Sequence, residues 1–264
     1  MTINQIIDDI MVDYYNCGYQ EHFYGADGMS ASGLWDAEAR AIVWAGLNAP
    51  QGNFVTFGAF QGASDVLLGL VQKHRNKGNK VISIDIKHQD AWFRNVFNRA
   101  RLNDFVDPID ESITKYKYNS NIPIALAFSD SWHSYKAVIT EWNIVRPMLM
   151  HNGFYLFHDC SPYLLNKYDG CSEELKEEAD ANHELLMQEF IPEIDPENKK
   201  EYHGAESQQN FLIDFAIARI LDTENTQLIE LPEFNHQPRF DRTGGDWERG
   251  KTSPHFCLRG IRWN

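Results

Sequence analysis

Basic charge is scarce in this chain of 264 residues: 24 lysines and arginines stand against 38 acids, for a formal net charge of −14. Grip on a polyphosphate backbone comes from Lys and Arg displacing counterions, so nucleic acid is not an expected partner. No polybasic segment suits an anionic membrane surface, and no run approaches the roughly 18 apolar residues of a spanning helix. The opening MTINQIIDDIMVDYY carries acids where a leader would be basic. Cysteine is sparse as well. Cys17, Cys160, Cys171 and Cys257 form no C-x-x-C pair, which argues against a disulfide scaffold and against a thiolate zinc site. The expectation is a cytoplasmic protein with reduced thiols. No Pro/Gly/Ser tract divides the chain, so a single domain is expected over residues 1–264.

What is present is ample apolar material, 43% of residues, arranged in two periodicities. Ile6, Ile7, Ile10, Met11 and Tyr14 fall at helical spacing, and a second helix is expected over about 34–47, ahead of Pro50 and Gly52. These make an N-terminal helical extension over 1–50. From Asn53 short apolar runs alternate with helical ones: NFVTFG, KVISIDI, DFVDPIDES, PIALAFSD and GFYLFHD read as strands, with helices of 12–16 residues between them. That alternation predicts βαβ units in a parallel sheet covered on both faces. Beyond Cys160, residues 161–264 read as an acidic helix (172–190), an apolar helix, and two final strands, TQLIELP and HFCLRGIRW. Between those strands runs a long polar loop. Its part Asp241–Pro254, with Gly244, Gly245, Trp247 and Arg249, is a candidate lid.

Polar groups collect where the strands end. The first runs into Gly58-Ala59-Phe60-Gln61-Gly62, a turn opening a helix, where the backbone can approach a ligand and helix N–H groups are free. The second ends at Asp85, 23 residues past Gly62, placed to accept hydrogen bonds from ribose hydroxyls. The third ends in Asp110-Glu111-Ser112, the fourth in Ser129-Asp130-Ser131-Trp132-His133, the fifth in His158-Asp159. Ligands of open α/β sheets bind outside the carboxyl ends of the strands. The missing G-x-G-x-x-G spacing argues against a nicotinamide oxidoreductase.

The block Asn53–Cys160 resembles the core of class I S-adenosylmethionine-dependent methyltransferases. More narrowly it is similar to the small-molecule O-methyltransferases grouped with macrolide-sugar methyltransferases and cephalosporin-hydroxylase-like proteins. Gly58, Gly62 and Ser64 match the first motif, Asp85 the acid after the second strand, Asp130, His133 and Tyr135 the next, and Gly153 with His158-Asp159 the last. Thr56 stands where the family often has glutamate, Trp132 where it has a second Asp, and Ser161 where macrolide-sugar members carry a histidine. The resemblance implies a doubly wound, mostly parallel seven-stranded sheet. It implies methyl transfer from S-adenosylmethionine to a hydroxyl of a small molecule.

Cofactor contacts are then expected from Gly58, Phe60, Gly62, Ser64, Asp85, Glu111, Ser112 and Asp130. Asp130, His158 and Asp159 are the candidate ligands of Mg²⁺ or another divalent metal, and His133 and Asp130 the candidate catalytic residues. Imidazole suits Mn²⁺, Fe²⁺ or Zn²⁺ better than Mg²⁺; the bland alternative for His158 is a ring satisfied by a backbone carbonyl. The N-terminal helices and the aromatic loop after them are candidate surfaces for a homo-oligomer. A non-catalytic binding or assembly protein on the same fold stays open beside the enzyme.

Overall fold

The computed structural model describes residues 1–19, 34, 36–59, 62–88, 90–117, 123–132, 134–160, 173–188, 206–232, 234 and 258–264. The candidate lid, Phe60, His133, Cys171 and Cys257 lie outside them.

Two helices lead the chain, α1 (Ile3–Asn16) and α2 (Asp36–Asn48). Helix α1 starts at a capping box: the Gln5 N–H donates to Thr2 Oγ1 and the Thr2 N–H to Gln5 Oε1. Then come β1 (Asn53–Phe57), α3 (Ala63–Arg75), β2 (Val81–Asp85), α4 (Asp90–Ala100), β3 (Val106–Asp110), β4 (Ile124–Ser129), α5 (Tyr135–Val145) and β5 (Leu149–Phe157). The chain finishes with α6 (Glu173–Leu186), α7 (Glu206–Thr223), β6 (Thr226–Leu228) and β7 (Arg259–Trp263). The alternation read from the sequence is thus present element by element.

One seven-stranded sheet results, in the order β3-β2-β1-β4-β5-β7-β6. β1 to β5 pair in parallel, and β7 runs antiparallel to both β5 and β6. β3 is the weakest of the expected strands because it contains Pro108, yet it forms as an edge. The Glu111 N–H donates inward to the Asp85 carbonyl. By alternation Pro108 directs its missing donor away from β2, which is where a sheet tolerates proline. β5 starts four residues before Gly153, where the apolar run begins. Leu149 pairs with Ile124 and Phe154 with Leu126, so residues 150–153 carry an irregularity, with Asn152 at φ 62°.

Strand alternation sorts the core into two layers. Phe54, Leu126, Phe128, Phe154 and Leu156 pack with residues of α1, α2 and α3. Val55, Phe57, Ala127, Tyr155 and Phe157 pack with α5 and α7. Trp44 of α2 stacks on Phe154 of β5, with ring centroids 6.5 Å apart. The N-terminal helices therefore cover one face of the sheet. The next even-numbered residue after Phe154 and Leu156 is His158, and the pleat turns it toward that same face.

No helix among the described residues is long and apolar enough to cross a membrane.

Candidate active site

The five strand tips are knitted together one step past the sheet. Glu111 N–H donates to Asp85 O (2.8 Å), Gly58 N–H to Ile84 O (3.0 Å), Asp130 N–H to Phe57 O (2.9 Å) and His158 N–H to Ser129 O (2.9 Å). Each polar tip singled out in the sequence is thereby fixed at one edge of the sheet. The tightest passage is at Gly58, whose φ is 84°. A Cβ built there would stand 2.1 Å from the Asp130 carbonyl oxygen and 2.7 Å from Ser131 Cα. Only glycine lets β1 leave the sheet beside the Asp130 loop.

On the β2–β3 side, Asp85 Oδ2 accepts the Ala59 N–H (2.7 Å) and Oδ1 the Lys87 N–H (3.1 Å). The carboxylate so braces the glycine turn, and a carboxylate has further acceptor sites for ribose hydroxyls. Glu111 and Ser112 are half-buried beside it. Ser64 is buried in the first turn of α3. Beneath the turn runs a polar chain that sequence reasoning missed. Thr56 Oγ1 donates to Asp65 Oδ1 at 2.5 Å, and the Ser83 hydroxyl bridges toward His88 Nε2 at 2.9 Å. His88 Nδ1 meets Asp110 Oδ1 at 2.6 Å. Thr56, which stands where the resembled methyltransferases often have glutamate, thus touches an acid supplied by the neighbouring helix. Asp110 is engaged by His88, while its neighbours Glu111 and Ser112 stay at the edge.

The β4–β5 side holds the imidazole. His158 is 6% exposed. Its Nε2 lies 3.3 Å from Glu38 Oε2, and its Nδ1 lies 3.3 Å from Asp130 Oδ1 and 3.4 Å from Asp159 Oδ2. Among the described residues, no backbone carbonyl takes the ring. Burial lowers its pKa, but Asp159, Asp130 and Glu38 outweigh that and hold it well above the ordinary imidazole value. Nδ1 is aligned with neither carboxylate for a hydrogen bond and makes none among the described residues. Asp130, His158 and Asp159 each offer a ligand atom, all within 4.8 Å of one another. Bonds of about 2.1 Å to one ion set neighbouring ligands roughly 3.0–3.4 Å apart at octahedral or tetrahedral angles, a range that the two separations from His158 Nδ1 match. Asp159 adopts φ 55°, a left-handed conformation that Asp accepts more readily than most residues.

Behind Asp130, the fully buried Glu141 of α5 gathers three hydroxyls. Ser129 Oγ and Ser131 Oγ donate to its two oxygens, and Tyr155 OH donates at 3.0 Å. This carboxylate clamps the loop on both sides of Asp130. Tyr135, one of the matched motif residues, is buried and shares a 2.6 Å hydrogen bond with His183 Nδ1 of α6. Burial pushes its phenol up to about 12.

Glu38, Asp65 and Glu141 share one sequence signal. Each lies on the apolar stripe of its helix: Glu38 with Ala41, Ile42 and Ala45, Glu141 with Val138, Trp142 and Val145. Asp65 sits in a first helical turn flanked by buried residues on both sides. An acid on such a stripe is buried and needs a partner.

Burial raises Asp65 to about 6 and Glu141 to about 7, against their hydroxyl partners. In both cases the folded carboxyl holds its proton to higher pH than the unfolded one. Their contribution to stability is full below about pH 4 and is lost as pH rises through those raised values. By linkage each accounts for about 3 kcal/mol. Urea denaturation of the wild type and Asp65→Asn at several pH values checks this. The stability difference between them should shift against the wild type between about pH 4 and 6, then level off. A difference independent of pH would overturn the assignment.

The sheet order, the reversed seventh strand and the glycine turn leading into α3 define the fold of the class I S-adenosylmethionine-dependent methyltransferases. Residues 55–160 match the family described as a methyltransferase domain. Among solved structures, it is similar to the S-adenosylhomocysteine-bound methyltransferase PaMTH1 of Podospora anserina. The identity is 14% and the TM-score 0.53, over 97% of this chain and 88% of that one. It is also similar to a protein of Corynebacterium glutamicum at 10% identity and TM-score 0.50, over 98% of this chain and 89% of the other. The O-methyltransferase NovP aligns at 15% identity and TM-score 0.45, over 68% of this chain and 92% of its own. No curated protein matches the chain.

Proposed function

We propose that the protein transfers a methyl group from S-adenosylmethionine to a hydroxyl of a small molecule, assisted by a divalent cation. One observation carries the reading: a buried imidazole nitrogen that makes no hydrogen bond among the described residues stands 3.3 and 3.4 Å from two carboxylates at the tips of β4 and β5. They stand beside a glycine turn at the tip of β1.

The division of labour follows the edge of the sheet. Gly58, Gly62 and the first turn of α3 with Ser64 face the methionine part, with Phe60 the further contact expected from the sequence; Asp85 accepts the ribose hydroxyls, and Glu111 and Ser112 border the adenine. Asp130 stands at the seam between the two halves. Methyl transfer is an in-line displacement in which the acceptor oxygen–carbon bond forms as the carbon–sulfur bond breaks. S-adenosylhomocysteine leaves and the acceptor proton passes to a base. Orientation of this kind supplies on the order of 7–11 kcal/mol. A neutral alcohol is a poor nucleophile, and the candidate base on sequence grounds is His133. A cation held by Asp130, His158 and Asp159 would supply Lewis-acid polarisation of the acceptor hydroxyl. The excess of acids over bases favours a small molecule over nucleic acid as acceptor.

Isothermal titration tests the cofactor. S-adenosylhomocysteine should bind at micromolar concentrations, and NAD(H) should give no heat. Absence of S-adenosylhomocysteine binding at high micromolar ligand, in protein shown to be folded by circular dichroism, would overturn the reading.

A further inference from the structure

Glu38 is fully buried on α2, in the N-terminal helical extension and outside the segment that matches the methyltransferase family. A carboxylate with no exposure is costly to desolvate unless it serves a partner. Its Oε2 lies 3.3 Å from His158 Nε2, across 120 residues of sequence. Two independent features of the fold bring them together. The pleat of β5 turns His158 to the face lined by Phe154 and Leu156, and α2 lies over that face with Trp44 stacked on Phe154. Phe128 flanks the imidazole, ring centroids 6.3 Å apart, and closes its apolar side.

We propose that Glu38 is a positioning residue for the metal site. It accepts a hydrogen bond from His158 Nε2–H, so that Nδ1 is the nitrogen presented between Asp130 and Asp159 when a cation takes the place of its proton. The inference rests on the metal-assisted reading above and adds a fourth residue to it, from a part of the chain that carries no motif. A histidine with two distinct nitrogens presents whichever one its second partner leaves unprotonated. Here that nitrogen is the orphaned Nδ1, 3.3 and 3.4 Å from the two carboxylates. One imidazole and two carboxylates favour Mn²⁺, Fe²⁺ or Zn²⁺ over Mg²⁺, which prefers an all-oxygen shell. Glu38 adds a negative charge behind the ring, which raises the basicity of the ligating nitrogen and reinforces that preference.

The experiment uses the full chain, titrated with Mn²⁺ by electron paramagnetic resonance and with Mg²⁺ in competition. S-adenosylhomocysteine affinity and melting temperature are recorded alongside. Wild type should bind Mn²⁺ more tightly than Mg²⁺. Glu38→Gln keeps the shape of the side chain and removes its charge. It should bind Mn²⁺ roughly 10- to 100-fold more weakly, with S-adenosylhomocysteine affinity unchanged. In protein labelled with ¹⁵N-histidine, Zn²⁺ should move the Nδ1 resonance of His158 while Nε2 stays protonated, the signal being assigned by its loss in His158→Gln. A purely structural Glu38 would leave both readouts unmoved. If Glu38→Gln binds Mn²⁺ within twofold of wild type, or Zn²⁺ displaces the Nε2 proton, the role of Glu38 is overturned and the metal reading stands. If wild type binds neither ion, the metal reading falls and takes this inference with it, while the cofactor titration decides methyl-donor binding separately.

Discussion

Gly58→Ala should cost about 3–5 kcal/mol of stability and remove S-adenosylhomocysteine binding, whereas Gly78→Ala should cost only about 1–2 kcal/mol and leave binding intact. The pair separates two effects. Both glycines have positive φ, 84° at Gly58 and 72° at Gly78, so alanine meets similar backbone strain at either position. At Gly78 a Cβ finds nothing within 4 Å. At Gly58 it meets the carbonyl oxygen and carbon of Asp130 at 2.1 and 2.6 Å and Ser131 Cα at 2.7 Å, all of them backbone. No side chain can swing away. To make room, the β1 tip or the Asp130 loop must move, and either movement breaks the Gly58–Ile84 or the Asp130–Phe57 hydrogen bond. Urea denaturation and calorimetric titration measure the two effects. Near-equal stabilities of the two variants would show that the strands do not approach so closely.

Glu141→Ala should destabilise the protein by on the order of 3 kcal/mol or more and weaken Mn²⁺ binding at the proposed Asp130 site. The carboxylate accepts from Ser129, Ser131 and Tyr155, and its removal strands three hydroxyl donors, two of them on fully buried residues or nearly so. Each stranded buried group costs roughly 1–3 kcal/mol, a large share of a typical domain's stability. Glu141→Gln should cost far less. Its amide oxygen still accepts, and a serine hydroxyl can turn to accept from the amide nitrogen. Denaturation of both variants at pH 6, with Mn²⁺ titration of the folded protein, tests this. Equal losses for Ala and Gln would overturn the claim that hydrogen-bond capacity at Glu141 secures the loop.

The parallel sheet was legible because buried strands and their crossover helices leave two clean periodicities in the residues. KVISIDI and PIALAFSD could hardly be anything else between helices of that length. The polar tips were legible because interiors that are nearly all apolar make Asp85, Asp130 and His158-Asp159 conspicuous. The partners behind those tips were harder to read. Glu38 and Glu141 are single acids within helices, and a lone acid in a helix usually faces water. Their membership of the buried stripe was visible in the spacing, but which strand lay beneath it was not. That depends on α2 crossing to β5, a contact between residues 120 apart. The start of β5 was misplaced for a related reason: the irregularity at 150–153 interrupts the apolar pattern without ending the strand.

The row of hydrogen bonds one step beyond the sheet has an entropic consequence for recognition. Residues that follow a strand are ordinarily loosely held, and a ligand that orders one of them bears about 1–2 kcal/mol for its backbone. Glu111, Gly58, Asp130 and His158 are instead held as firmly as strand residues by Asp85, Ile84, Phe57 and Ser129. Their backbones are ordered before any ligand arrives, so at these four positions binding has only side chains left to arrange.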